Sequence, residues 1–156
     1  MTKHFLAASV LFFSILICNQ AFANKTVLNA SEVNALFSDQ TMTVTETQVD
    51  PKTGGNETFR AFFSKLGGIR ALHPDGSSGS YNWTVDKKGA FCARNNQRWR
   101  DGLCGFLVLE QEGAYALYIN KRGNQKAKVN TEGRAIFDPR WEHTLTFTDI
   151  QAGEHL

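Results

Sequence analysis

The sequence predicts a mainly β fold, an antiparallel meander of about eight short strands with one short N-terminal helix. Turn residues recur about every ten to fourteen residues, a spacing typical of all-β domains. Apolar and polar residues alternate between these turns, and no segment after the first helix has the 3.6-residue period of a helix. Such a meander forms either a small barrel with a lipocalin-like outline or a strongly curved open sheet, with the helix over one face or mouth.

The first 23 residues have the pattern of a secretory signal peptide. A basic start at Lys3 precedes an almost unbroken apolar run over residues 5–17, and small residues lead to a cleavage site after Ala23. The run is too short to span a membrane. A lipid anchor at Cys18 is the alternative, which the bulky branched residue before it disfavours. We therefore expect a periplasmic or secreted bacterial protein without a membrane span.

Residues 24–156 are predicted to form a single β-rich domain. Cleavage leaves roughly 130 residues, enough for one core and too few for two. The formal net charge of the whole chain is +2, and loss of Lys3 with the leader lowers it by one. Nucleic-acid binding and bulk attraction to anionic membranes need a much larger basic excess, so this balance argues against both.

Two cysteines remain after the leader is removed, Cys92 and Cys104. In an exported protein such a pair indicates one disulfide. It would close a loop of roughly a dozen residues, for which the chain-entropy model gives about 3 kcal/mol. A catalytic thiol or a metal pair is the alternative, but no Cys-x-x-Cys motif or nearby histidine supplies further ligands. We expect no metal and no cofactor.

The predicted helix begins after Asn29, which can cap it, and Glu32 stands three residues on to complete a capping box. Val33 and Phe37 belong to one apolar stripe, so the helix should lie on the sheet. We expect it to end near Ser38.

The segments after the helix are predicted as strands. They cover residues 41–49, 57–64, 69–72, 81–85, 90–94, 103–110 and 114–120, then two weaker strands punctuated by turns at 122–124 and 131–133, and a last strand around 145–147. The segment 103–110 is the most continuously apolar, which predicts a central strand. Lys126 and Lys128 alternate with apolar neighbours, which predicts the wet face of an edge strand.

Several short motifs follow one another in a characteristic order over about residues 28–108. They are Leu28-Asn29-Ala30-Ser31-Glu32, Leu36-Phe37-Ser38, Thr41, Phe62-Phe63, Pro74-Asp75-Gly76-Ser77, Gly79, Trp83, Val85, Gly89, Phe91-Cys92 and Cys104. In this order they resemble small exported proteobacterial domains of unknown function, which share a Leu-rich N-terminal helix, a Gly…Trp strand and two cysteines. The resemblance implies a periplasmic setting and a β-rich fold, and it brings no established catalytic residues.

The stretch between the cysteines is the first candidate binding site. Arginine binds carboxylates and phosphates through paired hydrogen bonds, tryptophan and arginine are enriched at interface hot spots, and a covalent tie lowers the entropy cost of binding. The candidate residues are Arg94, Asn96, Arg98, Trp99 and Arg100. They would bind an anionic ligand or an unknown protein in the cell envelope. The alternative is an ordinary hairpin with Trp99 on the core and solvated arginines.

A second basic group surrounds the two weaker strands. It consists of Lys121, Arg122, Lys126, Lys128 and Arg134. We interpret it as the solvated face of the edge strand, with a partner-binding patch as the alternative.

Aromatic residues form the third candidate site. If the sheet closes, alternation points five of them inward: Phe59, Phe63, Tyr81, Trp83 and Tyr115. A barrel of about eight strands is filled by side chains or holds one small ligand. For a chain of this length we expect a filled interior.

The enzyme hypothesis rests on two histidines. His73 lies in a turn beside Pro74 and Asp75, and His143 follows Glu142. Neither is accompanied by a serine elbow, a paired-carboxylate motif or a metal motif. The sequence therefore favours a non-catalytic binding protein, most simply a protein-interaction or inhibitor module that uses the disulfide-tied loop. A carrier of small molecules or lipids inside a barrel is the alternative, and a hydrolase using either histidine is the second. The oligomeric state is not indicated.

Overall fold

The computed structural model describes residues 25–47, 56–95 and 102–156. The predicted signal peptide and the candidate loop residues Asn96, Arg98, Trp99 and Arg100 lie outside these ranges. None of the described helices is long and apolar enough to cross a membrane.

One helix and eight strands make up the regular structure of the described residues. They are α1 (Ala30–Phe37), β1 (Gln40–Glu46), β2 (Thr58–Phe63), β3 (Gly68–Leu72), β4 (Ser78–Val85), β5 (Ala90–Asn95), β6 (Leu103–Gln111), β7 (Ala114–Ile119) and β8 (Glu142–Ala152). Each strand pairs antiparallel with the next, and β1 also pairs antiparallel with β8. The sheet is therefore a closed barrel, which confirms the predicted fold class and decides between its two forms.

The helix α1 closes one end of the barrel. Its capping box is present: the Asn29 side chain accepts a hydrogen bond from the Glu32 amide at 3.0 Å, and the Glu32 carboxylate accepts one from the Asn29 amide at 2.8 Å. Val33 and Phe37 are completely buried. Asp39 then adopts a φ of 55°, a left-handed conformation that turns the chain directly into β1. The short connection keeps α1 against the barrel end where β1 begins.

The apolar run of β6 predicts a central strand, but in the closed barrel every strand has two neighbours, so β6 is no more central than the others. It pairs with β5 and β7, and Leu107 points into the barrel core, while Phe106 and Val108 lie in a second apolar cluster outside the barrel. Both faces of the strand are therefore buried, which explains why its sequence does not alternate.

The second cluster exists because the chain between β7 and β8 folds back over the outer face of β6 and β7. The Trp141 ring stacks on Phe106 with centroids 4.7 Å apart, and Phe137 packs edge-on against Tyr118 at 5.0 Å. Ala127 and Ala135 are buried in the same cluster. We call residues 120–141 the cover segment.

The two weaker strands predicted in the cover segment are wrong. The structure has a 3-10 helix at Asn124–Lys126 and a single isolated bridge between Val129 and Ala135 instead. Because β7 pairs directly with β8, the barrel has no free edge that this segment could join. The predicted edge strand carrying Lys126 and Lys128 is wrong for the same reason.

Candidate ligand-binding cavity

A cavity of about 580 Å³ occupies the half of the barrel away from α1. This half contains the end of β1 and the beginning of β2, whereas α1 adjoins the beginning of β1. Most of its lining is aliphatic or aromatic. The lining residues are Val44, Glu46, Glu57, Phe59, Ala61, Phe63, Ile69, His73, Tyr81, Phe91, Ala93, Leu103, Leu145 and Phe147. Glu57 is 42 % exposed, so the cavity reaches the protein surface, at an end we call the mouth.

Three of the five aromatic residues predicted inside the barrel line this cavity: Phe59, Phe63 and Tyr81. Trp83 also points inward but lies deeper in the core, where its indole Nε1 donates a hydrogen bond to the Ser64 carbonyl oxygen at 2.9 Å. Tyr115 packs against the same core without lining the cavity. Alternation along the strands thus predicted the inward face correctly for all five.

The floor of the cavity is a cluster of phenylalanines below which α1 lies. The Phe37 ring is 4.7 Å from Phe63, 4.6 Å from Phe91 and 5.2 Å from Phe147, measured between centroids. The interior is therefore filled only in the half next to α1. The expectation of a completely filled barrel is wrong because the helix residues reach only part of the way along the barrel axis.

Polar side chains are concentrated at the mouth, where His73 and Glu57 form a pair. The His73 Nδ1 is 2.6 Å from the Glu57 Oε1, and the His73 side chain is 17 % exposed. Its imidazole also packs on the Phe59 ring at a centroid distance of 5.0 Å. A carboxylate at Nδ1 holds the proton on that nitrogen and fixes the orientation of the ring.

Tyr81 and Glu46 complete the polar part of the lining. The Tyr81 ring lies over Gly79, where an added Cβ would stand 2.7 Å from the ring, so only glycine leaves room for this placement. Glu46 is adjacent to Glu57 across the β1–β2 pair, and its backbone amide donates a hydrogen bond to the Glu57 carbonyl at 2.8 Å.

Glu46 and Glu57 were not among the site residues predicted from the sequence. The signal was available, since both flank the predicted turn between the first two strands and a hairpin places such residues opposite each other. The other histidine, His143, does not line the cavity. It stacks on Tyr118 at 5.2 Å, and its Nε2 lies 3.0 Å from the Thr146 hydroxyl.

The predicted disulfide is present between Cys92 and Cys104, on the paired strands β5 and β6. The end of β5 and the start of β6 lie at the same end of the barrel as the mouth, because Ala93 and Leu103, a paired couple, both line the cavity. Of the candidate loop residues, Arg94 lies on β5 beside a second cleft of about 590 Å³ on the outer surface, which also contains Gly102 and Lys121. The loop as a binding site stays a prediction.

Two cations of the second basic group are paired with carboxylates. Lys121 pairs with Glu142 at 2.5 Å, and Arg134 pairs with Glu32 at 2.6 Å. These two pairs join the cover segment to β8 and to α1. The partner-binding alternative for the group stays a prediction.

A third polar cluster lies on the outer face and fastens the chain before α1. Lys25 Nζ is 2.7 Å from the Glu110 carboxylate and 2.5 Å from the Tyr118 hydroxyl, which donates to Glu110 at 2.6 Å. Burial alone would lower the pKa of Lys25, but its hydrogen bonds to Glu110 and Tyr118 outweigh burial and raise that pKa. Burial and the bond to Glu110 raise the pKa of Tyr118. The cluster is internally satisfied and leaves no reactive group.

Comparison with known proteins adds no family. No family model, curated protein or solved structure matches the chain. The resemblance to exported proteobacterial domains therefore stays a prediction. Within the described ranges, no three or more histidine, cysteine, aspartate or glutamate residues are grouped so that they could hold a metal ion.

Proposed function

We propose that this protein is an exported, non-catalytic binding protein that holds one small, largely apolar molecule inside its barrel. The observation that carries the proposal is the cavity of about 580 Å³, apolar along its depth and polar at its mouth. Ligand sites in proteins typically occupy about 300–1,000 Å³ and combine an apolar lining with a few placed polar groups. The cavity has both properties.

The dimensions of the cavity limit the ligand. Glu57 at the mouth and Phe63 at the floor lie six residues apart on one chain segment, which corresponds to roughly 20 Å of extended strand. Because strands of such barrels tilt by about 40°, the depth along the axis is at most about 15 Å. The ligand is therefore the size of a medium-length acyl chain or a two-ring aromatic molecule, rather than a two-chain lipid.

Export is supported by the leader pattern and by the disulfide. Cys92 and Cys104 are bonded, and such bonds persist in the periplasm and outside the cell, whereas the cytosol keeps thiols reduced. The protein-interaction function of the Arg94–Arg100 stretch rests on the sequence and is tested separately below.

The test is saturable binding of the uncharged probe N-phenyl-1-naphthylamine, whose fluorescence rises in apolar surroundings. We expect one probe per chain. The Ala93→Phe variant places a ring in the cavity, because Ala93 lines it, and should lower the affinity at least tenfold. The matched control is Ala152→Phe, an identical change at an exposed residue near the end of β8.

Near-UV circular dichroism of both variants establishes that the barrel is intact. If Ala93→Phe does not fold, Ala93→Leu adds less volume at the same place. Wild-type protein without saturable binding, or variants at position 93 that fold and bind as wild type does, would contradict a ligand site in the barrel.

A further inference from the structure

The polar groups at the mouth have a specific hydrogen-bonding pattern. We propose that they recognise a hydroxyl head group, so that the ligand of the cavity is an apolar alcohol; this inference rests on the proposed function. The apolar part of such a ligand would occupy the phenylalanine-lined depth, with its hydroxyl between His73 and Tyr81.

The ring nitrogen Nδ1 of His73 is engaged by the Glu57 carboxylate at 2.6 Å. In the neutral imidazole with its proton on Nδ1, Nε2 carries a lone pair and acts as an acceptor. No hydrogen bond joins Nε2 to any residue in the described ranges. The imidazole is fixed by Glu57 on one side and by the Phe59 ring on the other, so this acceptor is oriented before a ligand arrives.

Tyr81 supplies the second polar group. Its hydroxyl has no hydrogen bond to another part of the chain that the structure describes, although its ring is held in the cavity lining over Gly79. A phenol can donate and accept. Beside the two carboxylates, the mouth therefore presents one neutral acceptor and one group that can donate. A hydroxyl matches this pair because it donates to Nε2 and accepts from Tyr81.

Charged head groups match the polar groups of the mouth less well than a hydroxyl does. A carboxylate has no proton for the His73 Nε2 and would leave that acceptor unpaired. An ammonium can donate to Nε2 but cannot accept from Tyr81, and both carboxylates of the mouth already have partners, Glu57 in His73 and Glu46 elsewhere. At 42 % exposure, Glu57 is also screened by water and offers little attraction to repay the lost hydration of a cation.

The experiment uses three competitors with the same ten-carbon chain: decan-1-ol, decanoate and decylamine. Each displaces N-phenyl-1-naphthylamine from the purified protein at pH 7.5. We expect decanol to displace the probe at concentrations at least tenfold lower than the other two. The His73→Phe variant keeps the aromatic packing and removes the acceptor, so the decanol affinity should fall about tenfold, the loss typical of one hydrogen bond.

Controls separate this inference from the proposed function. The probe affinity is measured for each variant, so that a change in decanol affinity is separated from a change in probe binding. His143→Phe, at a histidine that does not line the cavity, should leave both affinities unchanged. Tyr81→Phe is a second variant that should weaken decanol binding if His73→Phe fails to fold. Equal displacement by all three competitors, or folded variants with wild-type decanol affinity, overturns the hydroxyl assignment alone. A wild-type protein that binds neither the probe nor decanol overturns the proposed function as well.

Discussion

Arg134 and Glu32 join the cover segment to the helix through two parallel hydrogen bonds. The guanidinium nitrogens Nη1 and Nη2 lie 2.6 and 2.9 Å from the two carboxylate oxygens. Nη1 also donates to the Val27 carbonyl oxygen at 2.7 Å. The same Glu32 caps α1, so one carboxylate serves both the helix start and the outer covering of the barrel. Paired bonds of this kind are among the stronger polar contacts in proteins.

Replacing Arg134 with glutamine should therefore lower the free energy of unfolding by about 1–2 kcal/mol, because the charged hydrogen bonds to Glu32 and Val27 are lost. Urea denaturation measures the change. The matched control is Arg140→Gln, which removes an exposed pair with the neighbouring Asp138 and should cost less than about 0.5 kcal/mol. Equal losses in the two variants would show that the Arg134 contacts do not anchor the cover segment.

Stability should also depend on pH through Glu32. Its hydrogen bond from Arg134, together with the bond from the Asn29 amide, outweighs burial and holds the pKa of Glu32 below its ordinary value of 4.5. A carboxyl whose pKa is lower in the folded state stabilises the fold above its unfolded pKa, and that contribution disappears as the pH falls through the folded value. Wild type should therefore exceed Glu32→Gln in unfolding free energy at pH 7, and the difference should shrink below about pH 4.5.

Gly89 should tolerate no side chain. Its φ is +85°, and an added Cβ would lie 2.6 Å from the Leu28 carbonyl oxygen, where the β4–β5 turn meets the chain before α1. Gly89→Ala should lower the free energy of unfolding by at least about 2 kcal/mol, because the strain of the positive φ and the clash with the Leu28 carbonyl oxygen add. Gly133 has a φ of +75° with nothing within 4 Å of the added Cβ. Gly133→Ala, with strain alone, should cost about 1 kcal/mol.

Loss of the disulfide should destabilise the protein without changing its topology. The bond joins residues 12 positions apart, for which the entropy model gives about 3 kcal/mol. The Cys92→Ala/Cys104→Ala variant should unfold at correspondingly lower urea concentration. Mass spectrometry of the wild-type protein, isolated under non-reducing conditions, should show the crosslink and no alkylatable thiol. Two free thiols would also remove the argument for a tied binding loop.

The candidate binding residues between Cys92 and Cys104 can be tested by substitution. If Arg98 and Trp99 contact a protein partner, wild-type protein should capture that partner from the native envelope, and Arg98→Ala/Trp99→Ala should not. The double variant should keep its melting temperature. A drop of several degrees would mean that Trp99 belongs to the core. A small molecule recovered equally from both proteins would assign function to the cavity rather than to the loop.

Local patterns in the sequence predicted most of the fold, since each depends on neighbouring residues. Alternation placed Phe59, Ala61 and Phe63 on one face, and all three line the cavity. It failed in the cover segment because the apolar Ala127 and Ala135 are buried against the outside of β6 and β7. Sequence periodicity records that a residue is buried but not which surface buries it.

The candidate site was harder to predict because it depends on register and on volume. The β2–β3 pairing joins Arg60 to Leu72, and one further step places His73 opposite Phe59 and diagonal to Glu57. Sequence alone did not supply that register. Nor did the sequence indicate how far the Phe37 side chain extends along the barrel axis, which decides how much of the interior stays empty.

The pairing of β1 with β8 has a consequence for how the chain folds. The first strand cannot pair with its second neighbour until the last strand has been synthesised and brought back across the whole domain. The residues that then pair are 99 to 112 positions apart. Contacts so distant in sequence slow folding. Until that closure, two strand edges stay open to other chains, and a product that ends before Glu142 would keep them open permanently.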